Sequence, residues 1–229
     1  MRLSVLIPVY NEEGTVACVV ERVAALPVDL EMLLVDDGSS DGTWETIQKL
    51  LGPKVRAYRH EKNRGKGAAL RTVIPHARGD YVVVQDGDME YDPADLVTML
   101  QVAESTNAPV VYGNRVHGRF RRSYFRFYWG GRLLTLITNL LFHTGIHDEP
   151  VCYKMFRREL LQSLPLQCDG FEFCPEVTAL VALAGHRIVE VSISYDPRSF
   201  AEGKKINWRD GVVAIWTLLR LRMTGIQRP

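Results

Sequence analysis

This chain of 229 residues has few cysteines, no long apolar run and almost no net charge. Cys18, Cys152, Cys168 and Cys174 form neither a Cys-x-x-Cys pair nor a Cys/His cluster with zinc spacing, so we expect free thiols in a reducing compartment. No apolar run reaches the roughly 20 residues that span a bilayer, and the segment after Met1 lacks the features of a signal peptide. A net charge of +1 gives no reason to expect nucleic acid as a partner. We therefore expect a cytoplasmic protein that can still lie on a membrane surface.

The first half of the chain alternates between two patterns. Apolar, β-rich runs occur at 3–9, 30–36, 54–58, 80–86 and 109–113, and helical patterns at about 12–25, 41–51, 65–77 and 93–105. Such alternation predicts an α/β fold whose central sheet is mainly parallel and has helices on both faces. The length suits one domain, 1–229. Ligands of such sheets bind outside the carboxyl ends of the strands, where this chain places its polar residues.

The stretch VDDGSSDGT, residues 35–43, ends a predicted strand with Asp36 and Asp37. Helix capping by Ser39, Ser40 or Asp41 and a turn at Gly38 account for part of it. Capping does not account for two carboxylates at a strand end. An acid there can accept hydrogen bonds from a ribose or a base edge, and we favour that interpretation.

The stretch EKNRGKGAALR, residues 61–71, places Gly65 and Gly67 around Lys66 at a predicted helix start. Glycines allow close backbone approach, helix amides point outward and the cations add charge, which suits a phosphate or diphosphate. The alternative is an ordinary glycine-rich turn.

The stretch VVVQDGDMEYDP, residues 82–93, carries Asp86, Asp88 and Glu90 at alternate positions. In an extended segment these side chains share a face, and oxygen ligands alone favour Mg²⁺ or Mn²⁺. The alternative is a solvated acidic turn before a helix that Asp92 caps, with Pro93 at its first position.

Basic and aromatic residues dominate the middle of the chain. Between Asn107 and Ile146 there is no acid, while arginines occur at Arg115, Arg119, Arg121, Arg122, Arg126 and Arg132. The apolar run 133–142 follows, and residues 208–229 read as a short amphipathic helix with cations near its end. These features indicate a membrane-surface segment facing anionic lipid. A single-stranded nucleic-acid patch ranks well below, and a core helix is a serious alternative for 133–142.

Five stretches, taken in order, resemble the motifs of the family 2 glycosyltransferases of the GT-A (Rossmann-like) fold. They are LSVLIPVYNEEGTV, LLVDDGSSDGT, NRGKGAALR, VVVQDGDMEYDP and VVYGNR. The second half, with HDEPVCYKMFRRELL, FEFCPEVTA and YDPRSFAEGKKINWRDG, resembles the polyprenyl-phosphate (dolichyl-phosphate) mannosyl- and glucosyltransferases. The resemblance divides the domain into a nucleotide-sugar and metal half, 1–115, and an acceptor half facing the membrane, 116–229. Pro150 departs from the usual pattern, so we expect the backbone around Asp148 and Glu149 to differ.

The resemblance implies roles for individual residues. For the nucleotide these are Pro8, Tyr10, Asn11 and Glu12 at the base and ribose, Asp37 with Asp36 at the nucleoside, and Lys66 near the diphosphate. Asp86 and Asp88 match the DXD motif, with Glu90 as a further metal ligand and Asp86 also able to touch the donor. Cations expected to contact a lipid phosphate are Arg115, Arg132, Arg198, Lys204 and Lys205, and Glu176 is given a minor role. The residues expected to matter most for catalysis are Asp86, Asp88, Arg115, Arg198 and Lys205.

The activity implied is an inverting, Mg²⁺- or Mn²⁺-dependent transfer of a hexose from a nucleoside-diphosphate sugar to a polyprenyl phosphate. GDP-mannose is the first expected donor and UDP-glucose the second. A lipid phosphate is already an anion and needs no general base. We expect the protein at the cytoplasmic face of a membrane, attached directly or through a separate membrane-anchoring subunit. The alternatives are a family 2 transferase with a soluble or polysaccharide acceptor, and a catalytically silent nucleotide-sugar-binding subunit.

Overall fold

A computed structural model describes residues 2–115, 125–197 and 208–225, with the backbone alone for 125–127. This described part of the chain contains seven strands: β1 Leu3–Val9, β2 Leu30–Asp36, β3 Val55–Arg59, β4 Tyr81–Val84, β5 Val110–Asn114, β6 Lys154–Arg157 and β7 Val189–Ser192. The eight α-helices of the described residues are α1 Val16–Ala24, α2 Thr43–Lys49, α3 Lys66–Val73, α4 Asp95–Thr106, α5 Phe125–Phe142, α6 Arg158–Ser163, α7 Phe173–Leu183 and α8 Trp208–Thr224. The α/β fold expected from the sequence is confirmed.

The strands form one sheet in the order β3-β2-β1-β4-β6-β5-β7. Strand β1 is parallel to β2 and β4, and β2 is parallel to β3. Strand β6 is antiparallel to both β4 and β5, whereas β7 is parallel to β5. Six strands therefore end at the same edge of the sheet, and β6 begins there.

The central strands form where the sequence is continuously apolar. Every residue of β2 and β4 is buried, as expected for parallel strands covered on both faces. Helix α1 covers the sheet with Val16, Val19, Val20 and Val23, whose spacing matches one face of a helix. Strand β4 ends at Val84, before the predicted 80–86, so Asp86 lies in the loop beyond the sheet.

A smaller apolar cluster joins α5, α7 and α8. Its buried members are Phe142, Ala179, Leu180, Leu218 and Leu221. Helix α5 turns Thr135, Thr138 and Phe142 inward, so the core-helix alternative for 133–142 holds for one face only. Among the residues described, no helix has both the length and the apolar character needed to cross a membrane.

Candidate functional site

The predicted site residues gather at the edge where the parallel strands end. Loops after β1, β2, β3 and β4 meet there, together with Arg115 after β5, the segment before β6 and the segment after β7. This edge includes the point between β1 and β4 where the order of the strands reverses. Such a reversal leaves a crevice between the loops of neighbouring strands, which is where ligands of open α/β sheets bind.

Asn11 and Glu12 connect three of these loops. The Asn11 amide nitrogen donates to Ser39 Oγ at 2.9 Å, and Asn11 Oδ1 accepts from the Ser40 amide at 2.9 Å. The Thr15 hydroxyl lies 2.7 Å from Glu12 Oε2 and 2.9 Å from the carbonyl oxygen of Gly87. These contacts hold the loop after β1 against those after β2 and β4.

Pro8 and Tyr10 belong to the same edge. Pro8 lies near the end of β1, opposite Val35 of β2, and both Pro8 and Tyr10 are half-buried. They therefore retain surface at the position where the sequence predicts a nucleotide, and their contact with it stays a prediction.

Asp36 and Asp37 have partners within the protein. Asp36 has no exposed surface; its carboxylate accepts from the Ser39 amide at 3.0 Å and pairs with Arg59 Nε at 3.1 Å. The expected contact of Asp36 with the donor does not fit this burial, and the residue shapes the turn instead.

Asp37 is 3% exposed and fastens the loop before α3. Its Oδ1 lies 2.6 Å from His60 Nδ1 and accepts from the Arg64 amide, while Oδ2 accepts from the Gly65 amide at 2.7 Å. The direct contact of Asp37 with a nucleoside stays a prediction.

The glycines around Lys66 make room for protein backbone. A Cβ on Gly65 would lie 2.4 Å from the carbonyl oxygen of Asp169, and one on Gly67 2.4 Å from that of Cys168. The amides of Gly67 and Ala68 donate to the carbonyl oxygens of residues 170 and 169. The predicted use of the α3 amides as a phosphate cradle is therefore wrong for Gly67 and Ala68, because both are already bonded.

Lys66 itself points at the acidic loop. Its Nζ donates to Asp86 Oδ1 at 2.5 Å and approaches Cys152 Sγ at 3.6 Å. Burial disfavours the charged form, but the attraction of Asp86 outweighs it, and the pKa of Lys66 lies well above its ordinary value. In the structure, therefore, Lys66, predicted to lie near the diphosphate, forms an ion pair with Asp86 of the predicted DXD motif.

The other two acids, Asp88 and Glu90, do not converge with Asp86 as one cluster. Asp88 Oδ1 accepts from the Glu90 amide at 3.1 Å, and Glu90 Oε2 accepts from the hydroxyl of Tyr195 at 2.7 Å. Within the described part of the chain, no three Asp, Glu, His or Cys residues are arranged to hold a metal ion. Asp86 pairs with Lys66 and Glu90 bonds to Tyr195, so the structure does not gather the three carboxylates, and their role as metal ligands stays a prediction.

Arg115 is held on three sides. Its Nε and one terminal nitrogen each donate to Asp148 at 2.8 Å, its other terminal nitrogen lies 3.3 Å from Tyr91 Oη, and its Cζ lies 4.8 Å from the ring centre of Tyr195. Burial opposes the ionised form of Asp148, but Arg115 outweighs it, and the pKa of Asp148 is lowered. Arg115 is thus a fixed cation at the site edge, and its predicted contact with a lipid phosphate stays a prediction.

Asp148 and Tyr195 were not among the predicted site residues. Asp148 lies in HDEP, where the sequence indicated only an unusual backbone, and Tyr195 lies beyond the predicted strands. Both lie in stretches that resemble the family, but no local pattern pairs either one with Arg115, which is distant in the chain.

Arg132 of α5 donates to the carbonyl oxygen of His147 at 3.1 Å. The amide of His147 in turn donates to Glu190 Oε1 of β7 at 2.9 Å. Arg132 therefore stands beside the segment that carries Asp148.

A buried pair lies behind Asp148. Lys154 Nζ donates to Glu149 Oε1 at 3.0 Å and to Thr178 Oγ1 at 2.8 Å, and it lies 4.3 Å from the ring centre of Tyr112. Burial raises the pKa of Glu149 to about 7, against the opposing effects of Lys154 and Thr178. This pair fixes the segment next to Asp148.

Glu176, assigned a minor role, is 1% exposed near the start of α7. Its carboxylate accepts the amides of Gln167 and Cys168 and so holds the segment that packs on Gly65 and Gly67. Other predicted cations lie outside the described residues: Arg119, Arg121, Arg122, Arg198, Lys204 and Lys205, with the side chain of Arg126.

Comparison with known proteins gives matches in both sequence and fold. The sequence model of the family described as "Glycosyl transferase family 2" matches residues 4–164. A dodecaprenyl-phosphate galacturonate synthase of Rhizobium johnstonii is 31% identical over 219 residues, which cover 89% of this chain and 62% of that protein. An undecaprenyl-phosphate 4-deoxy-4-formamido-L-arabinose transferase of Aeromonas hydrophila is 27% identical and covers 98% of this chain and 70% of its own length. This chain thus spans less than two thirds of the first relative.

A solved structure shares the fold. The glucosyl-3-phosphoglycerate synthase of Mycobacterium tuberculosis, crystallised with Mn²⁺, uridine diphosphate and phosphoglyceric acid, superposes with a TM-score of 0.72 at 22% identity. The match covers 99% of this chain and 79% of that one.

Proposed function

Because this chain belongs to glycosyl transferase family 2, we propose that it moves a sugar from a nucleoside diphosphate to the phosphate of a polyprenyl phosphate, with inversion. The observation that carries the proposal is one sheet edge that joins the Lys66–Asp86 pair and the acidic loop, 86–90, to the fixed guanidinium of Arg115. Two relatives named for transfer to dodecaprenyl and undecaprenyl phosphate support the choice of acceptor.

A divalent cation fits the donor side of this edge. Asp88 and Glu90 are half-buried carboxylates in one short loop, and Mg²⁺ commonly takes only one or two carboxylates and completes its shell with substrate phosphates. We therefore assign Mg²⁺ or Mn²⁺ to Asp88 and Glu90, as the Mn²⁺ and uridine diphosphate bound to the similar fold suggest. When bound, such an ion neutralises charge on the departing diphosphate.

Lys66 supplies a second positive charge on the donor side. The Lys66 side chain is only 13% exposed and stays protonated beside Asp86. An ammonium group held in a site of low dielectric stabilises negative charge more than it does in water. Asp86 therefore positions Lys66, and Lys66 faces the diphosphate as it leaves.

The acceptor side needs cations in place of a base. A phosphate monoester is already anionic near neutral pH, so its oxygen can attack the sugar without losing a proton to the protein. Arg115 and Arg132 stand near each other through the 147–148 segment, and Arg198, Lys204 and Lys205 are further candidates from the sequence. We assign these cations to binding and orienting the lipid phosphate.

The donor sugar belongs to the finer part of the proposal. GDP-mannose remains our first donor and UDP-glucose our second on the resemblance, while the relatives' names add galacturonate and a substituted arabinose. A donor panel must therefore include uronic acid and pentose nucleotides beside the hexoses.

The membrane is the proposed location. Helices α5 and α8 pack on each other, and both leave large apolar side chains exposed: Trp129, Leu133, Leu136, Leu140, Trp208, Val212, Trp216 and Met223. The two helices carry five arginines and one acid, Asp210. Helices that combine exposed apolar side chains with an excess of arginine suit the anionic surface of the cytoplasmic leaflet, with or without a membrane-anchoring subunit.

The direct test is transfer of labelled sugar into the organic phase from a panel of nucleotide sugars, with undecaprenyl phosphate and Mg²⁺ or Mn²⁺. Asp88→Asn is expected to lower the product by roughly 100-fold or more, because a charge that stabilises the transition state is lost. Glu159→Gln is the matched control, since this side chain is 81% exposed and follows β6 at the opposite edge of the sheet. Labelling of a soluble acceptor, or hydrolysis alone, contradicts the lipid-phosphate acceptor.

A further inference from the structure

Tyr195 lies where the donor and acceptor sides of the site meet. It follows β7, and its backbone forms an isolated antiparallel bridge with Tyr91. The Asp196 amide donates to the carbonyl oxygen of Glu90 at 2.9 Å, and the Ser194 amide donates to Asp95 Oδ2 at 2.7 Å. The backbone around Tyr195 is thus fastened to the acidic loop and to the start of α4.

The side chain of Tyr195 makes contacts in two directions. Its hydroxyl donates to Glu90 Oε2 at 2.7 Å, and its ring lies under Arg115, with the Arg115 Cζ 4.8 Å from the ring centre. The residue is only 8% exposed, and the Tyr91 ring centre is 5.1 Å away, so the ring has little freedom to turn. One rigid side chain therefore contacts both a proposed metal ligand and a proposed acceptor cation.

We propose that Tyr195 is a positioning residue that orients the Glu90 carboxylate for the divalent cation and the Arg115 guanidinium for the acceptor phosphate. The proposal rests on the metal-dependent transfer proposed above. A hydrogen bond to a ligating carboxylate holds it in one orientation, and losing such a partner typically weakens metal binding about 10- to 100-fold. The ring face adds a cation–π contact that keeps the guanidinium in place.

The two contacts can be separated by substitution. Tyr195→Phe removes the hydroxyl and keeps the ring, whereas Tyr195→Leu removes both. Tyr81→Phe is the matched control. Tyr81 lies at the start of β4, and its hydroxyl is also buried but donates to the carbonyl oxygen of Ala108 at 2.9 Å.

Metal binding is measured first, without acceptor or turnover. Mn²⁺ is titrated into the protein with uridine or guanosine diphosphate, and free Mn²⁺ is followed by electron paramagnetic resonance. Tyr195→Phe is expected to weaken Mn²⁺ binding about tenfold, while Tyr81→Phe binds like the wild type. In transfer assays, Tyr195→Leu is expected to raise the KM for polyprenyl phosphate several-fold above that of Tyr195→Phe.

The outcomes separate this inference from the function on which it rests. If the wild type takes up no Mn²⁺ with either nucleotide, the metal-dependent function fails, and the role of Tyr195 fails with it. If the wild type binds Mn²⁺ and Tyr195→Phe binds it equally well, the inference alone is overturned. It is also overturned if Tyr195→Phe loses nucleotide binding and thermal stability in parallel, because that pattern indicates a structural role.

Discussion

At the scale of single residues, the acids of this chain divide according to neighbours that are distant in sequence. Asp36 pairs with Arg59 of the next strand, and Asp37 accepts the amide of Gly65, 28 residues further on. Both acids match a nucleotide-binding pattern by position, yet their carboxylates hold protein. Asp88 and Glu90 also have protein partners, but both stay partly exposed, and they are the carboxylates that we propose for an external cation.

The pair of Asp148 with Arg115 gives a prediction about stability. Asp148→Asn leaves a mostly buried guanidinium without its charged partner, so we expect the free energy of unfolding to fall by about 3 kcal/mol, measured by urea denaturation. Asp169→Asn is the control, because Asp169 and Arg71 form an exposed pair and its loss should cost less than about 1 kcal/mol. If both variants lose the same free energy of unfolding, the buried pair of Asp148 and Arg115 does not contribute more to stability than the exposed pair.

Glu149 gives a prediction about pH. Its pKa is raised from 4.5 to about 7, so between these values the folded protein binds a proton that the unfolded chain releases. The contribution of Glu149 to the free energy of unfolding must therefore fall as pH rises through this window, by an amount on the order of 3 kcal/mol.

Urea denaturation at pH 4.5, 6 and 8 tests this dependence. Glu149→Gln cannot titrate, so its stability relative to the wild type should rise with pH across the series. The exposed Glu159→Gln should follow the wild type at every pH. A constant difference between Glu149→Gln and the wild type excludes titration of Glu149 in this window.

At the scale of elements, the glycine-rich start of α3 resembles a phosphate site in sequence, but in the structure it packs against another segment of the backbone. Its glycines let the backbone of 168–170 approach, and Glu176 of α7 fixes that segment from the other side. The sequence places glycines beside Lys66, but it does not indicate which segment of the chain packs against them. Lys66, at the start of α3, reaches the acidic loop through Asp86.

Gly67→Ala tests this packing role. The new Cβ would lie 2.4 Å from a backbone oxygen, so we expect a loss of about 2 kcal/mol in the free energy of unfolding, measured by chemical denaturation. Gly130→Ala is the matched control within α5, where nothing lies within 4 Å of the added Cβ. That change should leave stability unaltered or raise it by up to about 1 kcal/mol. A neutral Gly67→Ala contradicts the close approach.

At the scale of the whole molecule, the sheet and the helices give the protein two distinct regions. The loops at one sheet edge carry the candidate chemistry, and α5 with α8 carries the exposed apolar face. Arg132 belongs to α5 and reaches the segment that holds Asp148, so the two regions meet where we propose that the acceptor binds. A lipid phosphate at a membrane surface suits this arrangement.

Vesicle sedimentation tests the apolar face. The wild type is expected to bind vesicles that contain anionic lipid, and binding should weaken with salt because the arginine contribution is screened. Leu140→Glu and Trp216→Glu, at side chains 67% and 60% exposed, should each reduce binding about tenfold or more.

Leu51→Glu is the control for vesicle binding, since this leucine is 50% exposed outside α5 and α8. Equal loss in all three variants contradicts a specific face. A different result is that Leu140→Glu leaves vesicle binding unchanged but dissociates a dimer that light scattering detects for the wild type. In that case the apolar face binds a second copy of the chain.

The sequence by itself determined the α/β class, the bounds of β1 and β2 and the set of loops that carry polar residues. It could do so because continuous apolar runs form buried strands and parallel strands place their ends at one edge. Only the tertiary structure decided that β6 runs antiparallel, that Asp148 holds Arg115 and that Tyr195 joins Glu90 to Arg115. Those contacts link segments up to 105 residues apart, and local pattern carries no information about such distances.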